Sequence, residues 1–190
     1  MLSGIESVHE GILSLDQVFN PTMQLEIRPL WKGHPDKLPR ESAKGWSSHA
    51  PLRQYIIDTR AYRFSALRAF VLSESDVIAE SEQSICLAAL QALKDVTDLI
   101  QHIEQGDIIR ALGAYVAEQP AEYLRLLEQH HPAALAIDSH WLMMLLLCDD
   151  LWIVKGMGRD GIEAIGDVAG SSEMRNVLQW PISAFELVGA

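Results

Sequence analysis

From His131 to Arg159 the chain reads HPAALAIDSHWLMMLLLCDDLWIVKGMGR. Trp141 to Cys148 are eight consecutive apolar residues, and Pro132 to Ile137 contain nothing polar. A helix on a protein surface shows an apolar stripe, whereas a segment apolar all round has to be enclosed on every side. The run is far shorter than the ~20 residues that cross a bilayer, and Asp138, Asp149 and Asp150 flank it, so no membrane span is expected. The segment is expected to form a central buried helix over about 132–155. His140, Asp149 and Asp150 border it, and ionisable groups in such a place need partners, water or a ligand.

The rest of the chain supplies elements to wrap that helix. Pro51 suits a first helical turn. Leu52, Ile56, Phe64, Leu67, Phe70 and Val71 then form an approximate helical stripe to about Leu72. Val77, Ile78, Ile85, Ala89, Ala92, Val96, Leu99, Ile100 and Ile103 follow the 3.6-residue period, with SESD at 73–76 offering N-caps and Gly106 a stop. Shorter helices are expected from Asp107 to about Glu118, from Pro120 to His130, from Arg159 to Val168, and from the Gly170-Ser-Ser cap to Trp180-Pro181. No alternation of useful length suggests a strand. The expected fold is all-α, a bundle of six to eight helices over 51–190. Before it lies an irregular segment, 1–50, where Pro21, Pro29, Gly33, Pro35, Pro39 and Gly45 interrupt regular structure after one short helix within Ile5–Phe19. Trp31 and Trp46 suggest that this segment packs onto the core.

Charge and cysteine content narrow the function. The net charge of −11 argues against direct nucleic-acid binding, which needs clustered positive charge. Residues 28–68 do hold nine of the 15 basic side chains against three acids, a solvated and mildly basic face. The two cysteines, Cys86 and Cys148, lie in apolar helical patterns and read as reduced core thiols, and the N-terminus lacks a secretory pattern. An intracellular protein, cytoplasmic or nuclear, is therefore expected. Two cysteines cannot build a cysteine-rich zinc module, and a metal at His130-His131 would need a distant third ligand, so no metal is expected. The G-x-S-x-G, H-E-x-x-H, P-loop and Rossmann glycine patterns are absent, and no cofactor is expected.

Within the buried segment, His140 lies one turn before Met144, with Leu147 and Leu151 continuing the line. Trp141, Leu145, Cys148 and Trp152 form the adjacent line. A lone histidine in such company is most often a core residue bonded to a backbone carbonyl. The functional alternative is a pocket residue that hydrogen-bonds a ligand or acts as acid or base. Asp149 and Asp150 come where the helix dipole disfavours negative charge. Arg159 and Lys155 are the nearest cations in sequence, so a structural Asp–Arg clamp across Gly156–Gly158 is the leading reading. Met143, Met144 and Met157, with Trp141, Trp152 and Trp180, form either plain core or an adaptable pocket for a flat ligand.

The HPAAL start at His131–Leu135, the His140-Trp141 pair, the acidic-Leu-Trp step at Asp150–Trp152, the turn at 156–159 and Trp180-Pro181 follow in order. In this order and spacing, the segment 122–165 resembles the C-terminal regulatory domain of fungal binuclear zinc-cluster transcription factors, the group that includes the sterol-responsive regulators. YRFSALRAF at 62–70 and the long helix at 77–104 resemble that family's middle region, so the likeness spans roughly 51–181. The resemblance implies an all-helical domain that binds a hydrophobic small molecule or a protein partner. The chain departs from the family in having no six-cysteine cluster and no basic region, and so is expected not to bind DNA alone.

Three readings follow. The first is a domain that binds an apolar sterol-, terpenoid- or polyketide-like molecule, in a pocket lined by His140, Trp141, Met144, Trp152, Met157 and Trp180. The second is a cofactor-independent cyclase, isomerase or pericyclase of fungal secondary metabolism using the same pocket, with His140 as the candidate catalytic residue, it or an acid polarising a carbonyl. The third is a helical interaction module that buries an apolar face in a homodimer or against a full-length regulator.

Overall fold

The computed structural model describes residues 49–73, 79–103, 105–152 and 154–188. Over these residues the fold is all-α, with seven helices and no strand. They are α1 (Ala50–Ser73), α2 (Glu80–Leu99), α3 (Gln105–Ala117), α4 (Ala121–Glu128), α5 (Pro132–Leu145), α6 (Met157–Val168) and α7 (Ser172–Ser183). The expected irregular segment 1–50, with Trp31 and Trp46, lies outside the described residues apart from its last two.

Every residue of α5 from Ala133 to Leu145 is buried, and α5 touches each of the other six helices. It is the central helix that its all-round apolarity predicts. Its start is built by local chemistry. At the end of α4 the His130 N–H donates to Leu127 O and the His131 N–H to Leu126 O, both at 2.9 Å, the double bond of a Schellman cap. His130 takes the left-handed conformation (φ 54°) that glycine usually fills there. His131 is then the N-cap of α5 and Pro132 its first residue, where a missing N–H costs nothing. The chain axis turns by 100° at this corner.

The end of α5 differs from expectation. The α-helix stops at Leu145, and a 3-10 turn carries Leu146–Cys148, so the helix does not reach 155. Further i to i+3 bonds follow, Leu151 N–H to Cys148 O at 2.9 Å and Val154 N–H to Leu151 O at 3.1 Å. Continuing the helix would have placed Asp149 and Asp150 on its electronegative end beside an apolar core, which the dipole disfavours. The tighter turn instead brings both acids outward. Gly156, with φ 81°, reverses the chain into α6, which begins at Met157, earlier than the expected Arg159.

The α1 stripe is as expected, with Leu52, Ile56, Phe64, Leu67, Phe70 and Val71 all buried. On α2 the enclosed residues are Cys86, Ala89, Leu90, Leu93, Val96 and Thr97, while Ile85, Ala92 and Leu99 are half-buried. The helix runs from Glu80 to Leu99, shorter than 77–104. Asp107 sits inside the first turn of α3, where its charge suits the helix N-terminus, and Ser171 caps α7 by accepting the Met174 N–H at 3.0 Å. No single helix among the described residues is long and apolar enough to cross a membrane.

Candidate functional site

His140 is 1% exposed, and its ring lies against aromatics from two other helices. The Trp180 ring of α7 stands 5.2 Å away and the Phe64 ring of α1 6.5 Å away. Phe64 and Trp180 meet edge to face at 5.9 Å. The His140 Nδ1–H donates to Ala136 O at 2.7 Å, one turn back on α5, and Ser139 Oγ–H donates to the same carbonyl. Burial depresses the imidazole from its ordinary 6.5 to about 4. The bond to Ala136 opposes that fall and the nearby Arg63 guanidinium adds to it. The ring is thus neutral at physiological pH and held by its own helix, as a core histidine is. The Trp180 indole N–H is buried with no hydrogen-bond partner among the described residues.

Of the remaining expected pocket residues, Trp141 and Trp152 are turned away from the His140 ring. Trp141 is buried on another face of α5, its Nε1–H donating to Leu112 O at 3.2 Å. Met144 is buried and Met157 half-buried. Trp152 is 88% exposed, which corrects its assignment to a pocket shared with His140. The assignment assumed that the helical line from Cys148 continues to Trp152. The 3-10 turn after Leu145 breaks that line and swings the indole into solvent.

The clamp after α5 forms with a different partner from the one expected. Asp149 Oδ1 accepts the Gly156 N–H at 2.7 Å, tying the two ends of the loop together, and it makes no ion pair with Arg159 among the described residues. The Arg159 guanidinium lies over the Phe185 ring at 4.8 Å instead. Asp150 is exposed. A backbone amide on a left-handed glycine offers a fixed donor, whereas pairing with Arg159 would immobilise a long side chain for little gain.

Two features escaped sequence reasoning. The first is a buried polar group where α2, α3, α4 and α5 meet: Cys86, Tyr115, Tyr123 and Asp138. Asp138 is 7% exposed, and burial raises its carboxyl from 3.8 to about 7. Burial also pushes both phenols up, with the Asp138 charge adding to the rise, and pushes the Cys86 thiol up to about 11, with Glu82 adding. The Tyr123 O–H donates to Ala134 O at 3.3 Å. The signal was present, since Asp138 is the one acid inside the apolar run. Its partners come from helices that only tertiary packing places beside it. Among the described residues no group of three His, Cys, Asp or Glu side chains is placed to hold a metal ion.

The second is a groove of about 270 Å³ between α1 and α2. Side-chain bonds from Arg60 to Asp98 and from Gln83 to the Val71 carbonyl set the two helices antiparallel. α1 contributes Ala61, Phe64, Ser65 and Arg68; α2 contributes Leu87, Leu90, Gln91 and Lys94. Both sets follow i, i+3, i+4, i+7, so each is one face of its helix. The floor is apolar, and it includes the Phe64 ring whose other contacts are Trp180 and His140. The groove therefore reaches the buried aromatic group through one side chain. No protein-family model, curated protein or solved structure matches the chain.

Proposed function

We propose that this chain is a helical regulatory domain that binds an apolar small molecule, of the kind implied by its resemblance to fungal zinc-cluster regulators, and that the molecule lies in the α1–α2 groove. The observation that carries the reading is Phe64, which floors the groove and packs edge to face on Trp180. A ligand resting on Phe64 would bear on an aromatic contact that joins α1 to α7, with His140 of α5 against the same indole. Occupancy is thereby coupled to the packing of the central helix. This location replaces the pocket expected around His140, whose ring is enclosed and bonded within its own helix.

The test is titration with the uncharged fluorophore N-phenyl-1-naphthylamine. Saturable enhancement is expected, and Ala61→Trp, which fills the groove from an exposed position, is expected to abolish it while leaving the helical circular-dichroism spectrum unchanged. Saturable binding that survives Ala61→Trp would overturn the location, and no binding would overturn the reading.

A further inference from the structure

We infer that the α1–α2 groove selects a carboxylate-bearing amphiphile, a medium-chain fatty acid or a molecule of that chemistry, whose head group pairs with Arg68. The inference rests on the reading of this groove as a ligand site and adds the class of ligand. It starts from the unequal state of the two cations that line the groove. The helices are antiparallel, so Lys94 stands beside Ala61 at one end and Arg68 beside Leu87 at the other, about 10 Å apart along seven residues of helix. Lys94 Nζ is already paired with Asp98 Oδ2 at 2.5 Å, and the same carboxylate also accepts from Arg60. That end of the groove is compensated. Arg68 is exposed and has no hydrogen bond or ion pair among the described residues. A guanidinium offers two parallel N–H donors that match a carboxylate, and it has no acceptor to satisfy there otherwise.

Between the two ends lie Phe64 and Leu90, both buried residues whose groove-facing atoms form the floor. An acyl chain laid over them from Arg68 toward Lys94 would cover apolar surface and meet no further charge, because Lys94 is held by Asp98. A long-chain alcohol would bury the same area without using Arg68. A cationic amphiphile would place its charge against the uncompensated Arg68.

Displacement of bound N-phenyl-1-naphthylamine separates these ligands, using decanoate, 1-decanol and decyltrimethylammonium at matched concentrations below micelle formation. Decanoate is expected to displace the probe at a concentration at least tenfold lower than decanol, and the cation is expected to be the weakest. Arg68→Gln should bring decanoate to the level of decanol, whereas Lys94→Gln should leave the tenfold preference in place. Equal displacement by decanoate and decanol, or a preference that survives Arg68→Gln, would overturn the carboxylate assignment while leaving the groove as a ligand site. Failure of the probe itself to bind would instead remove the underlying reading.

Discussion

Asp138 and His140 stand two residues apart on α5, which touches each of the other six helices, and burial moves their proton affinities in opposite directions. The Asp138 carboxyl rises to about 7 and the His140 imidazole falls to about 4. Each shift makes folding depend on pH, with opposite sign. Between about pH 4 and pH 7 the folded chain keeps the Asp138 proton that the unfolded chain has released, so stability falls as pH rises. Between about pH 4 and pH 6.5 the unfolded chain carries a proton on His140 that the folded chain refuses, so stability rises with pH. Over their shared range the two slopes oppose each other, and Tyr115 and Tyr123, which sense the Asp138 charge, stay protonated throughout, as does the Cys86 thiol. Asp138→Asn is expected to uncover a slope rising with pH, and His140→Gln one falling with pH, each up to about 1.4 kcal/mol per pH unit. Urea unfolding in steps from pH 4 to 7.5 reads both. Identical slopes in wild type and variants would show that neither group titrates in this window.

His130 holds a left-handed backbone at the α4–α5 corner with an exposed side chain. A residue with a Cβ pays roughly 1–2 kcal/mol there, and glycine returns part of that as extra freedom in the unfolded chain. His130→Gly is expected to stabilise the protein by roughly 0.5–1 kcal/mol, seen as a higher urea midpoint at an unchanged slope. A loss of stability would mean that the imidazole contributes more than the cap geometry indicates.

Asp149 closes its loop on the Gly156 amide and not on Arg159. Asp149→Ala is expected to cost about 1.5 kcal/mol through the lost charge-assisted hydrogen bond. Arg159→Met, which removes the cation from the Phe185 ring, is expected to cost about 0.5 kcal/mol. Because the two side chains do not pair, the double variant should show the sum of the single effects within about 0.5 kcal/mol. A coupling above 1 kcal/mol would restore the Asp–Arg clamp.

The close approach of α6 to α5 depends on Gly158. A Cβ built there would lie 2.6 Å from the Leu142 carbonyl oxygen and 3.0 Å from Leu146 Cδ2. The carbonyl belongs to the central helix and cannot retreat without moving it. Gly158→Ala should therefore destabilise by about 2 kcal/mol or more, measured as a lower thermal midpoint. A neutral result would show that α6 can shift as a body.

The α1 stripe and the burial of α5 were legible because each is a local pattern. A 3.6-residue period or an all-apolar run states which face has to leave water whatever the neighbours are. The end of α5 was less legible. Periodicity carries the line from Cys148 to Trp152 smoothly, and only the competition among dipole, acids and core turns the chain away after Leu145. The expected pocket failed at Trp152 for that reason. The groove was not legible, because the faces Ala61–Arg68 and Leu87–Lys94 come side by side only through the antiparallel pairing of α1 with α2.

The all-α class, the central helix and the isolation of His140 and Asp138 in an apolar run are properties of residue order, since hydrophobic burial follows local pattern. Tertiary packing alone decided that Trp180 and Phe64 enclose His140, that Tyr115 and Tyr123 lie near Asp138, and that Arg60 of α1 joins the local Lys94–Asp98 pair while Arg68 stays open. Those relations join residues 15 or more positions apart. Their strength depends on distance and desolvation, which are set only when the helices meet.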